Sequence, residues 1–207
     1  MSPRRLAVPP GRAGRLWLTR RLAVARRGAD LLDRKLQVLQ LELDRRRSAA
    51  ARAAAEWERC RDDADSWLLR AALLGGERAI RLAAADAFAE VTISHAATMG
   101  VRYPADATCI TSPPVAGDGP ALAAAREAHR AALVAAVQHA AAAQALRVLE
   151  AETTATRYRL RAVRDRWIPR LEQALAEVTF ALEELERADA ARLRLATTAR
   201  RRPSAVG

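Results

Sequence analysis

An apolar side chain recurs at alternating steps of three and four residues between Leu22 and Leu74, and fifteen of these sixteen positions are apolar. A pattern held through more than seven heptads predicts one long helix whose apolar stripe, the seam, packs against another helix. At about 1.5 Å per residue the seam would extend for roughly 80 Å, longer than a compact domain requires. Arg46 is the one polar exception. The seam consists of Leu22, Ala25, Ala29, Leu32, Leu36, Leu39, Leu43, Arg46, Ala50, Ala53, Trp57, Cys60, Ala64, Trp67, Ala71 and Leu74.

A second helical tract is predicted from Pro120 to Thr198, because Gly119-Pro120 suits a helix start. Its register slips once, with a step of four instead of three between Trp167 and Leu171. Pro169 lies in this step and removes a backbone hydrogen bond, so we expect a kink or a local change of supercoil. The second stripe consists of Leu146, Leu149, Thr153, Thr156, Leu160, Val163, Trp167, Leu171, Leu175, Val178, Leu182 and Leu185.

The residues between the tracts predict a small knob. Gly75-Gly76 is expected to end the first helix, and a short helix over 77–90 to follow. Short β-type runs at 91–93, at 101–103 and around 109–110 predict a hairpin. The expected fold class is therefore mainly α, a long antiparallel two-helix coiled coil with a helix and β-hairpin knob at the turn.

The expected organisation follows from these boundaries. Two long helices joined by about 45 residues can fold back on each other, which brings both chain ends to one tip. The predicted regions are a disordered tail over 1–11, the first coiled-coil helix over 12–74, the central region over 75–119, the second coiled-coil helix over 120–198 and a disordered basic tail over 199–207.

Charge is concentrated near the chain ends. The net charge is +11; residues 1–52 hold 14 basic and 4 acidic side chains, and residues 192–207 hold five arginines and no acid. Such basic segments raise nucleic acid or an anionic membrane surface as partners. Lys35 is the only lysine, so part of the arginine excess can reflect coding bias, which weakens the nucleic-acid interpretation.

Targeting, membrane and redox signals are weak in this sequence. No apolar run approaches the roughly 20 residues that a membrane span needs, and the N-terminus lacks the apolar core of a signal peptide. Two cysteines, Cys60 and Cys109, make no disulfide framework, which favours the interior of a cell. We therefore expect a soluble protein.

The chemically versatile side chains favour packing over catalysis. Trp57, Trp67 and Trp167 occupy stripe positions and are interpreted as packing residues, whereas Trp17 precedes the stripe and could face a partner. The three histidines have no metal-ligand spacing. Gly75-Gly76 is a helix-end signal and lacks the further glycines and lysine of a phosphate-binding loop. We expect no catalytic residue, no cofactor and no metal site.

Three segments resemble a known family. Residues 20–35 read RRLAVARRGADLLDRK, residues 99–104 read MGVRYP, and residues 167–172 read WIPRLE, followed by LEELER at 182–187. In order and spacing they are similar to the D subunit of V-type or archaeal-type rotary ATPases, the central rotor shaft of those enzymes. The chain departs from the family pattern at 188–191, where alanines and Asp189 replace aromatic and lysine residues, and in the short segment 105–119.

The resemblance implies a non-catalytic rotor subunit that transmits torque between the membrane ion-translocating ring and the catalytic ring, in ATP synthesis or ATP-driven ion pumping. The implied partners are the catalytic and non-catalytic nucleotide-binding subunits, the small F subunit and the subunit that caps the membrane ring. The implied location is peripheral, on the cytoplasmic face of the membrane, with membrane association only through the complex and no nucleic acid expected. We expect partner contacts at Arg12, Arg15, Arg20, Arg21, Arg26, Arg27, Val101 and Tyr103.

Two other functional classes stay open at this point. A nucleic-acid-binding coiled coil would use the basic tip, although the arginines lack interleaved aromatic residues and the chain lacks a recognisable binding module. A basic coiled-coil scaffold or adaptor would share the architecture. Co-purification with nucleotide-binding subunits would identify a rotor shaft, and a salt-dependent gel shift would identify a nucleic-acid-binding protein.

Overall fold

The computed structural model describes residues 6–83, 88–111 and 119–201, and it is mainly helical with one small hairpin, which confirms the predicted fold class. The expected disordered tails fall in part on 1–5 and 202–207, outside the described residues. The elements are α1 Gly11–Ala83, β1 Glu90–Thr98, β2 Val101–Ile110, α2 Pro120–Arg161, a π-helix Ala162–Trp167 and α3 Ile168–Arg201.

Helix α1 is 73 residues long and is interrupted once. Gly76 adopts φ 72° and ψ 164°, a conformation that a side chain disfavours, so the helix breaks there and a short helical segment follows to Ala83. The sequence predicted a helix over 77–90. That range is too long at its end, because Glu90 is the first residue of β1.

The chain forms two compact units, of which the first, unit 1, comprises residues 1–34 and 157–207. Within it the start of α1 runs antiparallel to α3, since Arg12 pairs with Glu186 at 2.8 Å and Arg26 pairs with Glu172 at 2.7 Å. The buried apolar core of unit 1 lies between these segments and consists of Leu18, Leu22 and Leu171, with Trp17, Trp167, Ile168, Leu175 and Val178 packed around it.

The register slip of the second tract is accommodated by the π-helix Ala162–Trp167. The backbone N–H of Ile168 donates to the carbonyl of Val163, five residues earlier, where an α-helix would use a carbonyl four residues earlier. A π-turn takes up one extra residue, and one extra residue is what the sequence carries between Trp167 and Leu171. The insertion lets Leu171 reach full burial in unit 1.

Unit 2 comprises residues 35–156 and contains the hairpin. Here α1 and α2 are also antiparallel, as Lys35 pairs with Glu152 at 2.9 Å and Arg47 pairs with Glu150 at 3.2 Å. The core of unit 2 combines side chains from both helices and from β2, namely Leu39, Leu43, Tyr103, Ala145 and Leu149, with Ala96, Val101, Leu146 and Val148 packed against it.

Strands β1 and β2 form an antiparallel hairpin through the two-residue turn Met99-Gly100. Both turn residues have positive φ, 51° and 80°, as a type I′ turn requires. The register shifts where Ser94 pairs with Asp106 but His95 pairs with Pro104, which leaves Ala105 as the extra residue of a β-bulge. Because proline is tolerated at a bulge, β2 continues through Pro104 and joins the runs that the sequence predicted separately at 101–103 and around 109–110.

The second helical tract contains a stretch long and apolar enough to span a membrane, which corrects the expectation that the chain has no such stretch. Within residues 120–198 an 18-residue window has a mean hydropathy of 1.3, so by length and composition this stretch is apolar enough to cross a membrane, although only 22% of the window is buried. Residues 131–146 of the stretch contain no Asp, Glu, Lys or Arg and are mostly alanine. Three of these alanines, Ala135, Ala141 and Ala145, are buried within unit 2, so one face of the stretch packs against protein.

Candidate partner-binding surface

The arginines expected to contact partners lie on α1 in unit 1, and all six are exposed at the surface of that helix. Their surroundings differ. Arg12 and Arg26 are tied to carboxylates of α3, whereas Arg15, Arg20 and Arg27 form no ion pair within the described residues. These last three side chains are therefore the best placed to meet an acidic partner.

Arg21 is held against two tryptophans instead of a carboxylate. Its guanidinium carbon lies 4.9 Å from the ring centre of Trp17 and 5.7 Å from that of Trp167, distances typical of cation–π contacts. A shallow groove of about 410 Å³ opens beside this cluster. Its lining consists of Trp17, Arg20, Arg21, Val24, Ala25 and Trp167.

The hairpin is anchored to α1 by a polar cluster that includes Tyr103, one of the two predicted contacts on β2. The Tyr103 side chain is buried, its hydroxyl donates to Glu42 Oε1 at 2.9 Å, and the hydroxyl also lies 2.8 Å from Thr98 Oγ1. The other predicted contact, Val101, is half-buried and packs against the core of unit 2. The structure therefore places both residues against the core of unit 2, where Tyr103 is buried and Val101 keeps part of its surface exposed.

Arg46 completes the anchor, although the sequence showed it only as the polar exception of the seam. Its Nε donates to Glu42 Oε1 at 2.8 Å, and a second nitrogen donates to the Ala105 carbonyl at 3.2 Å. That carbonyl belongs to the bulged residue of β2. The guanidinium also lies 5.0 Å from the centre of the Tyr103 ring. A lone charged residue in an otherwise apolar seam was the available signal that something other than a helix packs there.

The pKa of Glu42 reports the balance of forces in this anchor. Burial raises the pKa of the carboxyl, and its side chain is only 13% exposed. The hydrogen bonds from Arg46 and Tyr103, together with the charges of Arg46 and Arg45, outweigh burial and lower the pKa below its ordinary value. Glu42 is therefore ionised at neutral pH, as a good acceptor for two donors must be.

A second unpredicted contact joins α1 to α2 in unit 2. Trp57 and His139 are stacked, with ring centres 5.2 Å apart and planes within 6° of parallel. The Arg61 guanidinium lies 5.5 Å from the same Trp57 ring. The stack agrees with a packing role for Trp57, and the histidine partner was hidden because nothing in the spacing of α2 marks it.

The predicted seam residues differ in burial. Leu22, Leu39, Leu43, Leu160 and Leu171 are buried. Half-buried positions are Leu32, Leu36, Trp57, Trp67, Trp167 and Leu182. At the end of the first tract the seam is open, because Leu74 is 80% exposed.

Cys60 lies in the seam beside Glu56. Burial and the neighbouring Glu56 carboxylate raise the pKa of the Cys60 thiol. A raised pKa disfavours the reactive thiolate, so the residue behaves as a small apolar filler. Within the described ranges, no group of three or more His, Cys, Asp and Glu side chains is arranged to hold a metal ion.

Together these features define a coiled-coil protein with antiparallel helix pairs, an anchored hairpin and an arginine-rich helical surface. The sequence matches the family of the ATP synthase D subunit over residues 16–198, which is 183 of its 207 residues, and the chain belongs to that family. It is thus a subunit of a rotary ATPase. No match was found among curated proteins.

Proposed function

We propose that this chain is the central-stalk rotor subunit of a V/A-type ATPase and transmits torque between the membrane ring and the catalytic ring. The observation that carries the proposal is the family match along nearly the whole of both helical tracts. The rotor subunit would itself be non-catalytic. Its proposed partners are the catalytic and non-catalytic nucleotide-binding subunits, the F subunit and the subunit that caps the membrane ring, on the cytoplasmic face.

The helix pairs suit torque transmission. Their backbone hydrogen bonds are internal and each pair buries apolar side chains between its helices, so local opening requires cooperative unpacking. An asymmetric shaft inside a ring with threefold symmetry would touch the three catalytic interfaces differently. Each interface could then be biased toward a different nucleotide affinity, which is coupling by differential contact.

Reconstitution with the nucleotide-binding subunits tests the proposal. The chain should co-purify with them, and a variant with Arg15, Arg20 and Arg27 all changed to Glu should hydrolyse ATP without coupled rotation. A matched control variant changes Arg157, Arg161 and Arg194 to Glu, which are also exposed arginines of unit 1. Failure to co-purify, combined with salt-dependent binding of DNA or RNA, would replace the rotor function with a nucleic-acid function.

A further inference from the structure

Besides the seam, α1 carries another stripe, the arginine stripe, with the same alternation of three and four residues. It begins at Arg20 and continues through Val24, Arg27, Leu31 and Arg34, so arginine and apolar side chains take turns. Both the three arginines and the two apolar residues repeat every seven residues. All five positions belong to unit 1.

This stripe lies on the side of α1 opposite its buried seam, although Arg20 and Val24 at its edge also line the groove beside Trp167. With 3.6 residues per turn, its positions lie roughly half a turn around α1 from Leu22 and Ala29, which are buried in the seam. Val24 is 60% exposed and Leu31 is 64% exposed. A solvated helix face does not need branched apolar residues at seven-residue intervals, whereas a helix-packing face does.

The charge of the stripe indicates what would cover it. The ion pairs of α1 in unit 1 engage Arg12, Arg26 and Asp33 among the described residues, and none of these three belongs to the stripe. The segment 20–34 contains five arginines and two aspartates, a balance of +3. The surface is therefore basic and apolar in alternation.

We propose that this stripe docks an amphipathic helix of another protein, one whose own stripe alternates carboxylate and apolar side chains. Val24 and Leu31 would enter the apolar contact, and Arg20, Arg27 and Arg34 would pair with carboxylates along its edges, as flanking charges do in coiled coils. The assignment of this partner helix to a component of the ring around the shaft rests on the proposed function; the docking chemistry does not.

The proposal can be tested on the 207-residue chain with designed peptides. The probe is a fluorescein-labelled helical peptide of about 21 residues, three heptads, with Leu and Glu alternating at heptad spacing, and the control peptide carries Lys in place of Glu. Fluorescence anisotropy should show binding of the Glu peptide at least about tenfold tighter than binding of the Lys peptide. Equal binding of the two peptides, or binding of neither, overturns the proposal.

Variants separate the two parts of the contact. Arg20→Gln, Arg27→Gln and Arg34→Gln together should weaken binding at least about tenfold and flatten its salt dependence, because the screened charge pairs are gone. Val24→Ser with Leu31→Ser should weaken binding by a similar factor and leave the salt dependence unchanged. The control variant with Arg157, Arg161 and Arg194 changed to Gln should bind as the parent does. Helicity measured by circular dichroism verifies that each variant is folded.

Failure of the docking proposal and failure of the proposed rotor function would give different experimental results. If the peptide binds as described but the chain does not assemble with nucleotide-binding subunits, the rotor function fails and the docking stripe stands. If the chain assembles and rotates but the control arginine variant loses as much peptide binding as the stripe variant, the stripe is refuted and the rotor function stands.

Discussion

Removal of a single hydroxyl group should loosen the hairpin from α1. In Tyr103→Phe the ring remains, but the hydrogen bond to ionised Glu42 at 2.9 Å and the contact with Thr98 at 2.8 Å are lost. A hydrogen bond to a charged group contributes about 1.5–3 kcal/mol. Glu42 keeps Arg46 as a partner, so we expect a loss near the middle of that range, about 2 kcal/mol.

Hydrogen exchange of the hairpin amides measures this loss. A two-stranded hairpin is only marginally stable alone, so undocking from α1 exposes its ladder to exchange. A loss of about 2 kcal/mol corresponds to exchange roughly 30-fold faster in β1 and β2. The matched control is Tyr158→Phe, the same substitution at the only other tyrosine, whose side chain is 67% exposed.

A double-mutant comparison with Glu42→Gln tests whether the Tyr103 hydroxyl acts through Glu42. The change Tyr103→Phe should cost much less when Glu42 is already Gln, because both changes remove the same charged hydrogen bond. If Tyr103→Phe accelerates exchange less than about threefold, or if its effect is the same in both backgrounds, the hydroxyl does not anchor the hairpin.

Glu42, Thr156 and Leu171 each contribute to stability in a way that substitution can measure. The lowered pKa of Glu42 means that its ionised form stabilises the fold above the ordinary carboxyl range, and that this stabilisation disappears as pH falls through the folded pKa. The difference in unfolding free energy between the parent and Glu42→Gln, measured by urea unfolding, should therefore shrink from about pH 7 toward about pH 3. A difference that stays constant with pH would contradict this prediction. Thr156 is fully buried and its hydroxyl has no hydrogen-bond partner within the described residues. Thr156→Val should therefore raise the unfolding free energy by about 1 kcal/mol. A loss of stability would show that the hydroxyl does have a hydrogen-bond partner. Leu171 is fully buried in unit 1, so Leu171→Ala should lower the unfolding free energy by about 2–5 kcal/mol. Leu185 is 59% exposed, so Leu185→Ala should change the unfolding free energy by less than about 0.5 kcal/mol. Similar effects at both sites would show that Leu171 is not a core residue.

The helical part of the fold was predictable because its signal is periodic. A stripe with alternating steps of three and four residues identifies a long packed helix without any knowledge of its partner. The slip between Trp167 and Leu171 also gave the position of an irregularity. Its form did not follow from sequence, since Pro169 favours a kink and the extra residue is instead taken up by a π-turn.

The hairpin anchor was not predictable, because it depends on contacts between distant parts of the chain. The sequence marked Arg46 as an exception, but nothing local connects it with the Ala105 carbonyl, 59 residues further along. The bulge that exposes this carbonyl arises from the pairing of two strands. The arginine stripe of α1 does not follow from the sequence for another reason: arginines in a helix usually form a solvated face, and only the structure shows that Val24 and Leu31 are exposed.

A rotor subunit must turn relative to the nucleotide-binding subunits during ATP hydrolysis, whereas a scaffold need not. A gold or bead probe can be attached to the exposed hairpin through Val91→Cys, after Cys60 and Cys109 are replaced by Ser, in a complex immobilised by its nucleotide-binding subunits. Rotor function predicts unidirectional rotation of the probe that starts with ATP and stops when hydrolysis is inhibited. Steady ATP hydrolysis with a stationary probe would contradict it.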